Sequence, residues 1–176
     1  MFRFLARLFG GGARKAVDVG AAAPRFTLKD AQGRSYSLAE ALKDGPVLLA
    51  FFKVSCPICQ FTLPFLERLH QAVRENGARL WGVSQNDASE TREFAREYGL
   101  SFPLLLDEEG YSVSNSYGLT NVPTLFLVKP DGRIQVASVG FVRAGIEESA
   151  TALSRAAGRE VEVFLPGEAI PDYKPG

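Results

Sequence analysis

Cys56 and Cys59 are the two cysteines of this 176-residue chain, and only Pro57-Ile58 separates them. Thiols at that spacing meet across the first turn of a helix. One can attack a disulfide, and the other can then displace it from the mixed disulfide. The attacking group must be a thiolate, which a helix N-terminus favours through its unpaired N–H groups and its dipole. The flanking residues supply such a place. Pro46-Val47-Leu48-Leu49-Ala50-Phe51-Phe52 reads as a fully buried strand, and Ile58, Phe61, Phe65, Leu69 and Val73 recur at helical spacing. The pair therefore sits where a strand ends and a helix begins. Cys56, at the helix start and partly exposed, is the candidate nucleophile. Cys59, one turn further in, is expected to be buried and protonated and to resolve the mixed disulfide. Pro57 at the first helical position loses no hydrogen bond.

Other chemistries fit these residues less well. A disulfide closing a four-residue loop would stabilise the fold little through chain entropy. Zinc as a rule takes four ligands, and the chain offers two thiols and a single histidine, His70. His70 lies about 16 Å beyond Cys59 along a helix rising 1.5 Å per residue, too far to serve the pair. It reads as a surface histidine, Trp81 as a core residue, and Lys53 as a solvated strand end near the thiols. No cofactor and no metal is expected, although a copper chaperone using the pair and a histidine stands as an alternative of another class.

The chain length suits one domain with its own core. Composition is 46% hydrophobic and 23% charged, with a formal net charge of zero, which gives no electrostatic reason to expect nucleic acid as a partner. At the N-terminus, Phe2, Leu5, Leu8 and Phe9 fall near one helical face, but Arg7 interrupts the apolar run a secretory signal requires. No segment approaches the roughly 20 apolar residues of a membrane span. The reading adopted is a cytoplasmic protein. Residues 1–18 read as a flexible or amphipathic N-terminal segment, with membrane association through it the less favoured reading.

Residues 19–158 read as one α/β domain. Phe26-Thr27-Leu28 and the turn Asp30-Ala31-Gln32-Gly33 form a hairpin, after which Ser37 caps Leu38 to Leu42. The cysteine helix runs to about Glu75. Arg79 to Ser84 is a strand, Asp87 to Tyr98 a helix closed by Gly99, Leu104 to Leu106 a strand, and Tyr111 to Tyr117 a short helix. Thr124 to Val128 and Ile134 to Val139 form a hairpin about Pro130-Asp131-Gly132. Ala144 to Ala156 is the last helix. Residues 159–176 form a tail with a short strand expected at Val161-Glu162-Val163-Phe164. Alternating strands and helices imply a mostly parallel sheet, and the final hairpin implies an antiparallel edge.

This order of signals resembles the thioredoxin-like three-layer fold, with a central mixed sheet, helices on both faces and an N-terminal hairpin extension. Gly20-Ala21-Ala22-Ala23-Pro24 through Asp30 and Gly33, followed by Ser37-Leu38, resembles the hairpin of the AhpC/TSA superfamily. The CxxC after Val47 to Phe52 resembles its TlpA/ResA-like thiol-disulfide oxidoreductases. Tyr117-Gly118 and Val122-Pro123-Thr124, about 65 residues after the cysteines, resemble that group's cis-proline strand. The resemblance implies a cis Val122–Pro123 peptide beside the sulfurs, with Val122, Pro123 and Pro57 lining the substrate site. An extended substrate segment would pair with the Val122 backbone. Protein thiols or disulfides are the implied partners, with an upstream thiol reductant or oxidant.

Three positions depart from the resemblance. Ser55 stands where tryptophan commonly precedes the first cysteine. Ala50 stands where many relatives carry a buried acid or amide, and Thr62 where ResA-like proteins carry glutamate. The base that would take the Cys59 proton is thus unidentified. A peroxiredoxin-like peroxidase remains the main alternative. Its motif would need proline at position 49 and a hydroxyl at 53, where this chain has Leu49 and Lys53.

Overall fold

The computed structural model describes residues 16–176, so most of the expected N-terminal segment, residues 1–15, lies outside the described residues. In chain order the elements are β1 (Thr27–Lys29), β2 (Ser35–Ser37), α1 (Leu38–Ala41), β3 (Val47–Phe52), α2 (Pro57–Val73), β4 (Arg79–Ser84) and α3 (Ala88–Tyr98). There follow β5 (Leu104–Leu106), α4 (Ser112–Ser116), β6 (Thr124–Val128), β7 (Ile134–Val139), β8 (Phe141–Val142), α5 (Arg143–Ala157) and β9 (Tyr173–Lys174). The central sheet has the order β5-β4-β3-β6-β7. β3 pairs in parallel with β4, and β4 with β5, while β6 runs antiparallel to both β3 and β7.

β3 is the middle strand, and every residue in it is buried. Its side chains alternate between two cores, as a period of two requires. Leu48, Ala50 and Phe52 join Leu63, Leu66 and Leu69 of α2 and Ile146 and Leu153 of α5. Val47, Leu49 and Phe51 join Leu38, Trp81, Tyr117 and Phe126 on the opposite face. A strand covered on both faces reads as a continuous apolar run, which is why no polar residue interrupts it. Ala50 therefore belongs to the face that α2 covers, in the same core as Cys59.

Local signals operate as their chemistry predicts. Ser37 Oγ accepts the Glu40 N–H and Asp87 Oδ1 the Glu90 N–H, which starts α1 and α3. In the first hairpin Asp30 accepts N–H groups from Gln32 and Arg34, the Arg34 Nε–H at 2.7 Å and the Tyr36 hydroxyl at 3.1 Å. Burial opposes ionisation of Asp30, but these donors together hold its carboxyl below the usual range.

The tail departs from expectation. Val161 to Phe164 is no strand, and the paired segment lies further on at β9, antiparallel to β8. The Val163 carbonyl accepts from the Arg68 guanidinium at 2.6 Å rather than from a ladder partner, and Arg68 also grips Glu168 through two bonds of 2.9 Å. The Phe164 ring packs on Phe65 and Phe141, with centroids 5.1 and 6.0 Å apart. Side-chain anchoring to α2 has replaced backbone pairing there.

Candidate active site

Cys56 is the N-cap of α2, with extended dihedrals, and Pro57 takes the first helical position. Its sulfur accepts the Cys59 N–H at 3.1 Å, so the thiol group fills the place a serine or aspartate oxygen fills at an ordinary cap. Cys56 is half-buried, Cys59 is fully buried, and Ser55 and Pro57 are exposed. Both cysteines are free thiols.

The loop that carries the pair is held from two sides. The Cys56 N–H donates to the Lys53 carbonyl at 3.2 Å, closing a turn. The Val54 N–H donates to Asn86 Oδ1 at 3.0 Å, and the Val54 carbonyl accepts from Gln60 Nε2 at 2.9 Å. Asn86 and Gln60 thus hold the loop that carries Cys56 without touching its sulfur. Sequence reasoning missed both. Asn86 comes from the β4–α3 connection, 32 residues away, and nothing local marks an asparagine there as a clamp.

The Val122–Pro123 peptide is cis. It places the Val122 carbonyl 3.4 Å from Cys56 Sγ, where the thiol donates to it. Thr124 Oγ1 donates to the Asn121 carbonyl at 2.7 Å and pins the loop at the start of β6. Among the described residues no acceptor takes the Val122 N–H. The structure therefore brings Cys56, Cys59, Pro57, Val122 and Pro123 together. The Val122 carbonyl meets the Cys56 sulfur, and the Val122 N–H has no partner among the described residues.

Burial pushes the Cys59 thiol far above the ordinary thiol range, and its hydrogen bond to the neighbouring Cys56 pushes the same way. Among the described residues no carboxylate or imidazole acts on it. Thr62 is fully buried, but its hydroxyl donates to the Ile58 carbonyl one turn back at 2.6 Å. Ala50 offers only a methyl group. Neither of these two departures read from the sequence supplies a proton acceptor for Cys59, and among the described residues no ionisable side chain other than Cys56 acts on it.

His70 corrects an expectation. It is half-buried rather than on the open surface, its ring lies edge-on to Phe102 with centroids 5.9 Å apart, and its Nδ1 is buried with no partner. The Phe102 ring covers a helix face that the sequence pattern leaves open. Trp81 is a core residue, 4% exposed, with edge contacts to Phe26 and Tyr36. Lys53 is exposed. Leu49 faces the core opposite α2. Neither Leu49 nor Lys53 supplies the hydroxyl and proline geometry a peroxide pocket needs.

Comparison with known proteins agrees with this layout. The model of the AhpC/TSA family matches residues 19–137. The thiol-disulfide oxidoreductase ResA of Halalkalibacterium halodurans is 34% identical over 137 residues, covering 77% of each chain. The ResA protein of Geobacillus thermodenitrificans is 30% identical over 128 residues, covering 72% of each. Among solved structures, a thiol:disulfide interchange protein DsbE from Chlorobium tepidum superposes with a TM-score of 0.69 at 23% identity, over 78% of this chain and 99% of that one. The thioredoxin domain of a Bacteroides vulgatus thiol-disulfide oxidoreductase gives 0.68, also at 23% identity, over 81% and 99%. At those identities the structural likeness shows the thioredoxin-like fold.

Proposed function

This chain belongs to the AhpC/TSA family, and from that membership and the site we propose the roles of its residues as a thiol-disulfide oxidoreductase. The single observation that carries the reading is the half-buried Cys56 sulfur at the N-cap of α2, with the Cys59 N–H on one side and the Val122 carbonyl on the other. Cys56, as thiolate, attacks one sulfur of a substrate disulfide. That S–S bond breaks, the leaving thiolate takes a proton from solvent, and substrate and Cys56 are joined. Cys59 then loses its proton, attacks Cys56 Sγ, and releases the second substrate thiolate. Two electrons have passed from the protein dithiol to the substrate, and the reverse sequence oxidises a dithiol. Ionisation of Cys56 also removes the hydrogen it donates to the Val122 carbonyl, one of the contacts that carbonyl must give up to accept a substrate N–H.

Protein disulfides are the substrate class this geometry favours, because the Val122 backbone presents a pairing edge that a small disulfide does not need. We place the protein in the cytoplasm, on the interrupted apolar run near its N-terminus. Among the described residues no helix is long and apolar enough to cross a membrane. Fractionation of cells carrying the full chain tests the placement, and recovery from membranes or outside the cytoplasm would overturn it.

The test of function is reduction of insulin with dithiothreitol as electron source. Wild type should accelerate it and Cys56→Ser should not. Cys59→Ser should instead accumulate mixed disulfides with its partners. Normal turnover by Cys56→Ser would refute the assignment of the nucleophile.

A further inference from the structure

The tail returns to the site. β9 pairs with β8 through only Phe141–Lys174 and Val142–Tyr173, and the Arg143 N–H adds one bond to the Asp172 carbonyl at 2.9 Å. The chain then passes Gly140, whose positive φ of 80° and missing side chain let the backbone of Lys174 and Gly176 lie against it. A Cβ on Gly140 would collide with the Lys174 carbonyl and come 2.9 Å from the Gly176 nitrogen. Beyond that point Gly176 reaches Val122. A Cβ on Gly176 would stand 2.6 Å from the Val122 oxygen, the atom that also accepts from Cys56.

Among the described residues little else holds this segment. Asn121 Nδ2 donates to the Gly176 carbonyl at 3.2 Å, and the Lys174 ammonium lies 4.9 Å from the centre of the Phe61 ring. Tyr173 is 57% exposed. A two-residue ladder with exposed flanks opens readily, and elements that must move are drawn from such places. Gly176 makes no hydrogen bond to Val122, so it crowds the pairing edge without satisfying it.

We propose that residues 172–176 form a displaceable strap across the Val122 carbonyl, which an extended polypeptide disulfide must lift and a small disulfide need not. The inference rests on the disulfide-exchange reading and names the specificity device of that same site. The strap lowers the fraction of protein open to polypeptide substrates. A pairing edge open one-tenth of the time slows their exchange about tenfold. Cys56 itself is half-buried rather than sealed, so a compact disulfide reaches it with the strap in place.

The test compares hydroxyethyl disulfide with insulin as oxidants of the reduced full-length protein. Two variants loosen the strap by independent means. Gly176→Val crowds it off the Val122 oxygen, and the pair Asn121→Ala with Lys174→Ala removes its side-chain holds. Both should raise the rate with insulin about tenfold and leave the rate with hydroxyethyl disulfide unchanged. An unchanged insulin rate in both variants overturns the strap, as does a fall, which would mean that the tail contributes to binding. Equal gains with both disulfides also overturn it, because a generally loosened site would do the same. A wild type that exchanges with neither disulfide sinks the functional reading itself.

Discussion

Resolution of the mixed disulfide should depend on pH in a way that reports whether a base stands beside Cys59. Cys59 must lose its proton to attack Cys56, and its thiol lies far above the ordinary value of about 8.5. Part of that displacement comes from Cys56 and disappears once Cys56 is tied to substrate. Burial is the larger cause and remains. Each unit of displacement lowers the ionised fraction at neutral pH tenfold, equivalent to about 1.36 kcal/mol. The release rate should therefore climb about tenfold per pH unit, without a plateau, from about pH 6 to about pH 9.5. An aromatic disulfide that liberates yellow thionitrobenzoate reads this directly. The first equivalent reports attack by Cys56, and the second reports its release by Cys59. A plateau near neutral pH would reveal a proton acceptor beside the sulfur, and one near the ordinary thiol value would reveal a solvated Cys59. Either refutes the reasoning. Thr62→Val should leave the slope intact, because that hydroxyl is already engaged with the Ile58 carbonyl.

The same proton makes the reduced protein's stability fall in alkali. The folded thiol holds its proton more tightly than the unfolded one, so this contribution is whole below about pH 8.5 and declines above it by up to about 1.4 kcal/mol per pH unit. Urea unfolding of reduced Cys59→Ala should lack that decline. His70 acts at the other end of the scale. Burial lowers its folded value, so its contribution is present above about pH 6.5 and is lost as pH falls below that. His70→Phe should flatten the unfolding midpoint between about pH 6.5 and 5, and an unchanged slope would place the cause elsewhere. Gly82→Ala should cost about 1–3 kcal/mol. Its Cβ would meet Leu104 at 2.5 Å and Phe52 at 3.0 Å inside the sheet, and a mutant with the wild-type midpoint would contradict that packing.

Much of the site was legible in one dimension, because its parts announce themselves by local chemistry. A cysteine pair after an apolar run and before a helical pattern places Cys56 at a cap. Val122-Pro123-Thr124 marks the loop that faces it, through resemblance rather than geometry. Ala50 and Thr62 were readable as substitutions. That Ala50 shares a core with Cys59 follows only from the alternation of β3 beneath α2. Helix starts at Ser37 and Asp87 and the turn at Pro130-Asp131-Gly132 were equally local, since each satisfies backbone groups within four residues.

What failed was long-range. The strand expected at Val161 to Phe164 did not form, because Arg68, almost 100 residues earlier, takes the Val163 carbonyl. His70 left the surface because residues near Phe102 fold over it. Asn86, just beyond the neighbouring strand β4, holds Val54, and Gly176 comes to rest on Val122. By itself the sequence determined the fold class, the reactive pair and its place on a helix, since apolar periodicity and caps are set by neighbours. Tertiary structure alone decided how deeply Cys59 is buried, what lies beside it, and which segment crosses the pairing edge. Those depend on which surfaces meet, and that is settled by the packing of residues distant in sequence.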